Sequence, residues 1–135
     1  MPAIDRLLIV DDEREITRLI EIHARKLGYD VLAINDTDLF EKSIQQFNPT
    51  IIMLDIAMPG RDGVELIGHL SAGGYQGKIV VMSGSHPSYV QMSSTIAKVR
   101  GLDLVASLAK PFRTQAITDL LINLASETTA SQPSA

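Results

Sequence analysis

The chain reads as one open α/β domain: a doubly wound, five-stranded parallel sheet with helices on both faces. Two observations predict it. Five short aliphatic runs recur along 135 residues. Each is continuous rather than alternating, the pattern of a strand covered on both sides. Between them lie segments whose apolar residues return at helical spacing. Parallel strands joined by helices need right-handed crossovers, so such repeats build a sheet with helices above and below.

The first strand is Leu7-Leu8-Ile9-Val10. Ile16, Leu19, Ile20, His23 and Leu27 then share one helical stripe, which Gly28 ends. Val31-Leu32-Ala33-Ile34 is the second strand, and Phe40, Ile44 and Phe47 give the second helix its apolar face. Asn48-Pro49 breaks that helix before the third strand, Ile51-Ile52-Met53-Leu54. Val64, Ile67 and Leu70 mark a third helix closed by Gly73-Gly74, and Ile79-Val80-Val81-Met82 is the fourth strand. A fourth helical segment, about 88–100, carries only a loose stripe of Val90, Ile96, Ala97 and Val99. The weakest strand, Leu104-Val105-Ala106, leads to a fifth helix with Ile117, Leu120, Leu121 and Leu124 on one side. Residues 1–125 thus form the domain. Residues 126–135 are small and polar with a proline, and read as a frayed tail or the start of a linker.

Composition narrows the function. Hydrophobic residues are 45% and charged residues 21%, which suits a packed core and excludes a disordered chain. With no cysteine there is no disulfide, thiolate nucleophile or sulfur-ligated metal. No apolar run approaches the roughly 20 residues of a membrane span, and Met1-Pro2-Ala3-Ile4-Asp5 does not open a signal peptide. The expectation is a cytoplasmic protein without membrane contact. A net charge of −4 argues against direct nucleic-acid binding, because the chain lacks the basic surface that neutralises phosphates.

In open α/β sheets, ligands bind at the carboxyl ends of the strands. The polar residues there are Asp11, Asp12 and Glu13 after the first strand, and Asp55 after the third. Ser83-Gly84-Ser85 follows the fourth, and the fifth leads into Ser107-Leu108-Ala109-Lys110-Pro111. The second ends only in Asn35-Asp36-Thr37. Three carboxylates, a hydroxyl and a lysine therefore converge on one edge. Clustered carboxylates repel one another unless a cation neutralises them, and hard oxygen ligands favour Mg²⁺ or Ca²⁺. One carboxylate could then act as a nucleophile toward phosphorus, with the hydroxyl and the ammonium on the transferred oxygens.

The motifs Ile9-Val10-Asp11-Asp12-Glu13, Met53-Leu54-Asp55-Ile56-Ala57-Met58-Pro59-Gly60-Arg61-Asp62-Gly63, Met82-Ser83-Gly84 and Lys110-Pro111-Phe112 resemble receiver domains of two-component response regulators. The resemblance covers about residues 4–125, and the four motifs in this order are highly specific. It implies the flavodoxin-like strand order 2-1-3-4-5. Asp55 would be the phosphoacceptor, taking its phosphoryl group from a phosphohistidine of a sensor histidine kinase or phosphotransfer protein. Asp12 would bind Mg²⁺ directly and Asp11 mainly through water, with Asp55 and the backbone carbonyl of Ala57 completing the metal site. Ser83 and Lys110 would hold phosphoryl oxygens, Pro111 would follow a cis peptide, and Asp62-Gly63 would start the third helix. The fourth helix, fifth strand and fifth helix would form the readout face. Such a domain catalyses only its own phosphorylation and dephosphorylation.

The chain departs from the family pattern at Ser107, where an aromatic residue usually stands three before the lysine. Ala57 and Ser85, which flank the phosphoryl site, are both small. The stretch from Ser83 to Lys110 is longer than is typical. Val99-Arg100-Gly101-Leu102-Asp103-Leu104 is similar to receivers fused to cyclic-di-GMP phosphodiesterase domains, which makes such a fused output domain one partner to expect. A separate output protein and a second copy of the chain are the other partners expected.

Plainer readings compete at each position. Asp11-Asp12 could only cap the first helix, with Glu15 in capping spacing. Lys110 could extend to solvent, and Ser83-Gly84-Ser85 could be turn chemistry. His23 reads as a half-buried helix residue. Two other functions remain. A dehalogenase-type phosphatase would need a second aspartate where Ala57 stands. A pseudo-receiver scaffold would bind partners without phosphorylation, an option that Ser107 leaves open.

Overall fold

The computed structural model describes residues 4–56, 63–84, 98 and 100–130. The elements run β1 (Arg6–Val10), α1 (Arg14–Lys26), β2 (Asp30–Ile34), a 3₁₀ turn (Thr37–Leu39), α2 (Phe40–Phe47), β3 (Ile51–Asp55), α3 (Gly63–Ala72), β4 (Lys78–Ser83), β5 (Asp103–Ala109) and a C-terminal helix (Thr114–Ala130). All strand pairs are parallel, in the order β2-β1-β3-β4-β5. The helical segment expected at 88–100 falls almost entirely outside the described residues, as do Ala57, Asp62 and Ser85.

Because successive strand residues point to opposite faces, the aliphatic runs feed two cores at once. Leu8, Val10, Ile52, Leu54, Ile79 and Val81 face one way and pack with Phe40, Leu66, Ile67 and Leu70 of α2 and α3. Leu7, Ile9, Ile51, Met53, Val80 and Met82 face the other way, against Ile20 and Ala24 of α1 and Ile117, Leu121 and Leu124 of the C-terminal helix. That division explains why the runs are continuous rather than alternating. Phe40 is wholly buried, and truncating it to alanine would cost about 4 kcal/mol.

The helix ends follow local chemistry. After α1, Gly28 N–H reaches Arg25 O and Tyr29 N–H reaches Ala24 O; after α3, Gly74 and Tyr75 repeat the pair on Ser71 and Leu70. These double bonds satisfy carbonyls the helix leaves open, and they need a left-handed residue, which Gly28 (φ 92°) and Gly74 (φ 72°) supply. Asn48 (φ 53°) ends α2 in the same conformation.

Several details differ from the sequence reading. The buried face of α1 is Thr17, Ile20 and Ala24, while Leu27 is exposed: it is the C-cap and has left the helical stripe. α1 starts at Arg14 with Glu13 as its N-cap and no side-chain cap, so Asp12 and Glu15 form no capping box. β5 runs to Ala109 rather than ending at Ala106. A register shift opposite Ile79 and Val80 leaves Val105 unpaired, so Leu104 pairs with Ile79 but Ala106 with Val80. The C-terminal helix continues to Ala130, past the point where the tail was expected to begin.

Candidate functional site

Three strands deliver the acidic edge. β1 ends at Val10, and Asp11 follows it, wholly buried. β3 ends on Asp55 itself, which is also buried, while Asp12 faces solvent. Carboxylate oxygens of Asp11, Asp12 and Asp55 all lie within 4.8 Å of one another. Ser83, buried at the end of β4, stands one register step beyond the Asp55–Met82 pair.

Lys110 turns into this cluster rather than to solvent. Its Nζ lies 2.7 Å from Asp11 Oδ2, 3.1 Å from Asp55 Oδ2 and 3.4 Å from Glu13 Oε1. Two features, one in β5 and one just after β4, bring it there. The extra residue at Val105 resets the pairing so that Ala109 meets Ser83, and Lys110 N–H then donates to Ser83 O at 2.8 Å. Gly84 leaves room for the lysine stem, since a Cβ there would sit 3.3 Å from Lys110 Cβ. The Lys110–Pro111 peptide is cis, as the resemblance implies.

Electrostatics match this crowding. Burial, first of all, raises the Asp11 pKa to about 6, and the Asp55 charge adds to the rise. The Lys110 ammonium and the Glu13 N–H pull it back only in part. Burial works to lower the Lys110 pKa, but Asp11 and then Asp55 outweigh it and hold the ammonium above the usual lysine range. Two buried carboxylates thus share one cation, and the deficit is felt at Asp11.

One oxygen shows it directly. Asp11 Oδ1 accepts from Glu13 N–H at 2.9 Å, whereas the buried Oδ2, although close to Lys110, accepts no well-aligned hydrogen bond. A hard divalent cation fits the chemistry of such a donor set: Asp11, Asp12 and Asp55 offer carboxylate oxygens close together, and the ion would offset their mutual repulsion.

The sequence reading missed two contributors. Asn35, passed over as a bare strand end, binds the backbone of Asp11, and Thr17 of α1 receives its second hydrogen. Neither carries a signal of its own, because an amide and a hydroxyl near a turn most often serve the turn. His23 is half-buried, its Nδ1 2.9 Å from Leu19 O, as expected of a helix residue. Ser107 lies exposed in β5, opposite Val81.

The doubly wound parallel sheet thus carries a lysine-bridged acidic pocket at the carboxyl ends of its strands, the place where open α/β sheets bind ligands. Residues 7–122 match the family model "Response regulator receiver domain", and the chain belongs to that family. It is similar in structure to a response regulator from Colwellia psychrerythraea (26% identity, TM-score 0.81, covering 93% of this chain and 99% of that one). A signal receiver domain from Bermanella marisrubri is comparable (27% identity, TM-score 0.78, 91% and 99% covered). A CheY-like receiver domain protein from Methanospirillum hungatei JF-1, at 19% identity, shares the fold (TM-score 0.79, 96% and 99% covered). Among the described residues, no helix is long and apolar enough to cross a membrane.

Proposed function

We propose that this receiver domain is a phosphorylation-operated switch in which Asp55 accepts a phosphoryl group from a phosphohistidine of a sensor histidine kinase or phosphotransfer protein. An Asp55 carboxylate oxygen attacks phosphorus, the P–N bond breaks, and the imidazole leaves with the electron pair and takes a proton from solvent. Asp11, Asp12, Asp55 and the backbone carbonyl of Ala57 would hold Mg²⁺. When bound, the ion neutralises the negative charge of the carboxylates and the incoming phosphoryl oxygens. Ser83 donates its hydroxyl hydrogen to one phosphoryl oxygen, and Lys110 pairs with another.

The observation that carries this reading is the shared ammonium of Lys110, within 3.1 Å of both Asp11 and Asp55. A new dianionic group on Asp55 competes for that cation. The lysine and the strands beside it then have two arrangements to choose between. The readout face would be the 88–100 segment, β5 and the C-terminal helix. Partners there would be an output protein or domain, with a fused cyclic-di-GMP phosphodiesterase domain as one option, or a second copy of this chain. The protein acts in the cytoplasm, on its own aspartate and not on external substrates. The exposed Ser107, in place of an aromatic side chain, favours a second reading in which the domain is a scaffold that works without phosphorylation.

Incubation with Mg²⁺ and acetyl phosphate, followed by intact mass beside Asp55→Asn, separates the two. A magnesium-dependent, base-labile adduct on wild type alone supports the switch. No adduct, and no response to beryllofluoride, leaves the scaffold.

A further inference from the structure

We infer that Asn35 is a positioning residue for the acidic site, fixing the peptide plane between Asp11 and Asp12. The inference rests on the switch reading above. Asn35 stands just past β2, outside the carboxylate cluster. Its Nδ2 donates one hydrogen to Asp11 O at 2.9 Å and the other to Thr17 Oγ1 at 3.0 Å. A primary amide has two such hydrogens, so both are committed. The Thr17 hydroxyl in turn donates to Arg14 O at 3.1 Å, which leaves its lone pair to the amide and anchors the chain of bonds in α1.

The Asp11 carbonyl belongs to the same rigid planar unit as the Asp12 amide. Holding it sets the direction in which both aspartates leave the backbone. On the other side of Asp11, its N–H donates to Ile34 O at 3.2 Å. The end of β2 therefore grips Asp11 by both of its backbone polar groups. Asp12 depends on that grip most, because among the described residues its exposed side chain has no hydrogen bond or ion pair. A metal ligand without a side-chain partner takes its position from the backbone alone, and outer contacts of this sort decide how well a site is preorganised.

Calorimetric titration of the full chain with magnesium chloride reads the effect without any phosphoryl transfer. Asn35→Ala removes both donors, and Asn35→Leu removes them while keeping most of the volume. Both are expected to weaken Mg²⁺ binding about tenfold, the low end for losing an outer-shell partner, with the far-UV circular dichroism unchanged. Thr17→Ser keeps the wild-type affinity, while Thr17→Val, which leaves the amide one partner, loses part of it. Labelling of Asn35→Ala by acetyl phosphate recovers the wild-type rate at saturating magnesium, as a positioning role requires. Wild-type affinity in Asn35→Ala, or recovery in Asn35→Leu, overturns the assignment and leaves the acidic site standing. Should both Asn35 variants unfold, wild-type affinity in Thr17→Val overturns it. Absence of Mg²⁺ binding by the wild type overturns the metal site and this inference together.

Discussion

Lys110 Nζ lies 3.1 Å from Asp55 Oδ2, a contact between side chains 55 residues apart in sequence. The same nitrogen lies 2.7 Å from Asp11 Oδ2. With Asp11 and Asp55 buried and the lysine side chain only 11% exposed, this is an interior charge cluster and not a surface salt bridge. Removing the one cation of such a cluster is costly, because the two carboxylates then stay buried without compensation.

Lys110→Ala tests that asymmetry. In metal-free buffer the variant should lose about 3 kcal/mol of stability in urea unfolding, since two carboxylates are left facing each other. Mg²⁺ should restore more stability to it than to wild type. The variant should still take a phosphoryl group on Asp55 but fail to pass the change to β5, as read by amide chemical shifts with and without beryllofluoride. Shifts in β5 equal to those of wild type would remove Lys110 from the coupling.

Tyr29 gives the fold a sensitivity to alkali. Its hydroxyl donates to Leu121 O at 2.6 Å inside the core, tying the start of β2 to the C-terminal helix. Burial, and then the charge of Asp5, hold its pKa well above the ordinary 10. A folded pKa above the unfolded one means the stabilisation is full below pH 10 and is lost as pH rises beyond it, by about 1.4 kcal/mol per unit. Tyr29→Phe should be about 1 kcal/mol less stable at pH 7, from the lost hydrogen bond. Above pH 10 the two should converge in urea unfolding. Parallel curves would mean that Tyr29 ionises equally in both states.

Much of this was legible in the residues, for a definite reason. Strand ends announce themselves, because a run such as Ile51–Leu54 stops at a residue of opposite chemistry, and Asp55 and Ser83 were located that way. The inward course of Lys110 was expected from the resemblance, but the extra residue in β5 that helps bring it there was not. That bulge is a property of register between β4 and β5 and leaves no mark in composition or periodicity. Asn35 escaped notice because its meaning lies in what it touches. On α1 the stripe of Ile16, Leu19 and Ile20 does pack on the core, but Thr17 joins it unannounced for a similar reason: it is polar, yet its hydroxyl is satisfied within the helix and by Asn35, so it can be buried.

Gly77 should tolerate no side chain. A Cβ there would collide with the Tyr75 hydroxyl and come within 2.6 Å of Thr50 O, which belongs to the backbone leading into β3. The tyrosine could swing aside, but it would then abandon its bond to Lys78 O. The carbonyl is less free, because it accepts the Lys78 N–H at 3.0 Å. Gly77→Ala should therefore cost about 2 kcal/mol, the usual scale of overpacking, read as a lower midpoint in urea. Phosphoryl transfer should be unaffected, because this turn lies at the amino end of the strands. A midpoint equal to wild type would show that the Thr50 segment can shift.

Asp55→Asn should raise stability in metal-free buffer, although it breaks an ion pair. The wild-type site holds two buried carboxylates against one ammonium, and the Asp55 charge is one of the causes that push the Asp11 pKa up to about 6. Asparagine keeps the size and an acceptor oxygen for Lys110 while removing the repulsion, and it leaves Lys110 to neutralise Asp11 alone. A gain of about 1 kcal/mol is expected, on the scale seen when buried ionic groups are replaced. Mg²⁺ should reverse the order, because an ion that binds the folded state stabilises it in proportion to its affinity, and the variant has lost one ligand. Urea unfolding at pH 7, with and without saturating Mg²⁺, reads both effects. A variant less stable than wild type without metal would mean that the Lys110–Asp55 attraction outweighs the repulsion between Asp11 and Asp55.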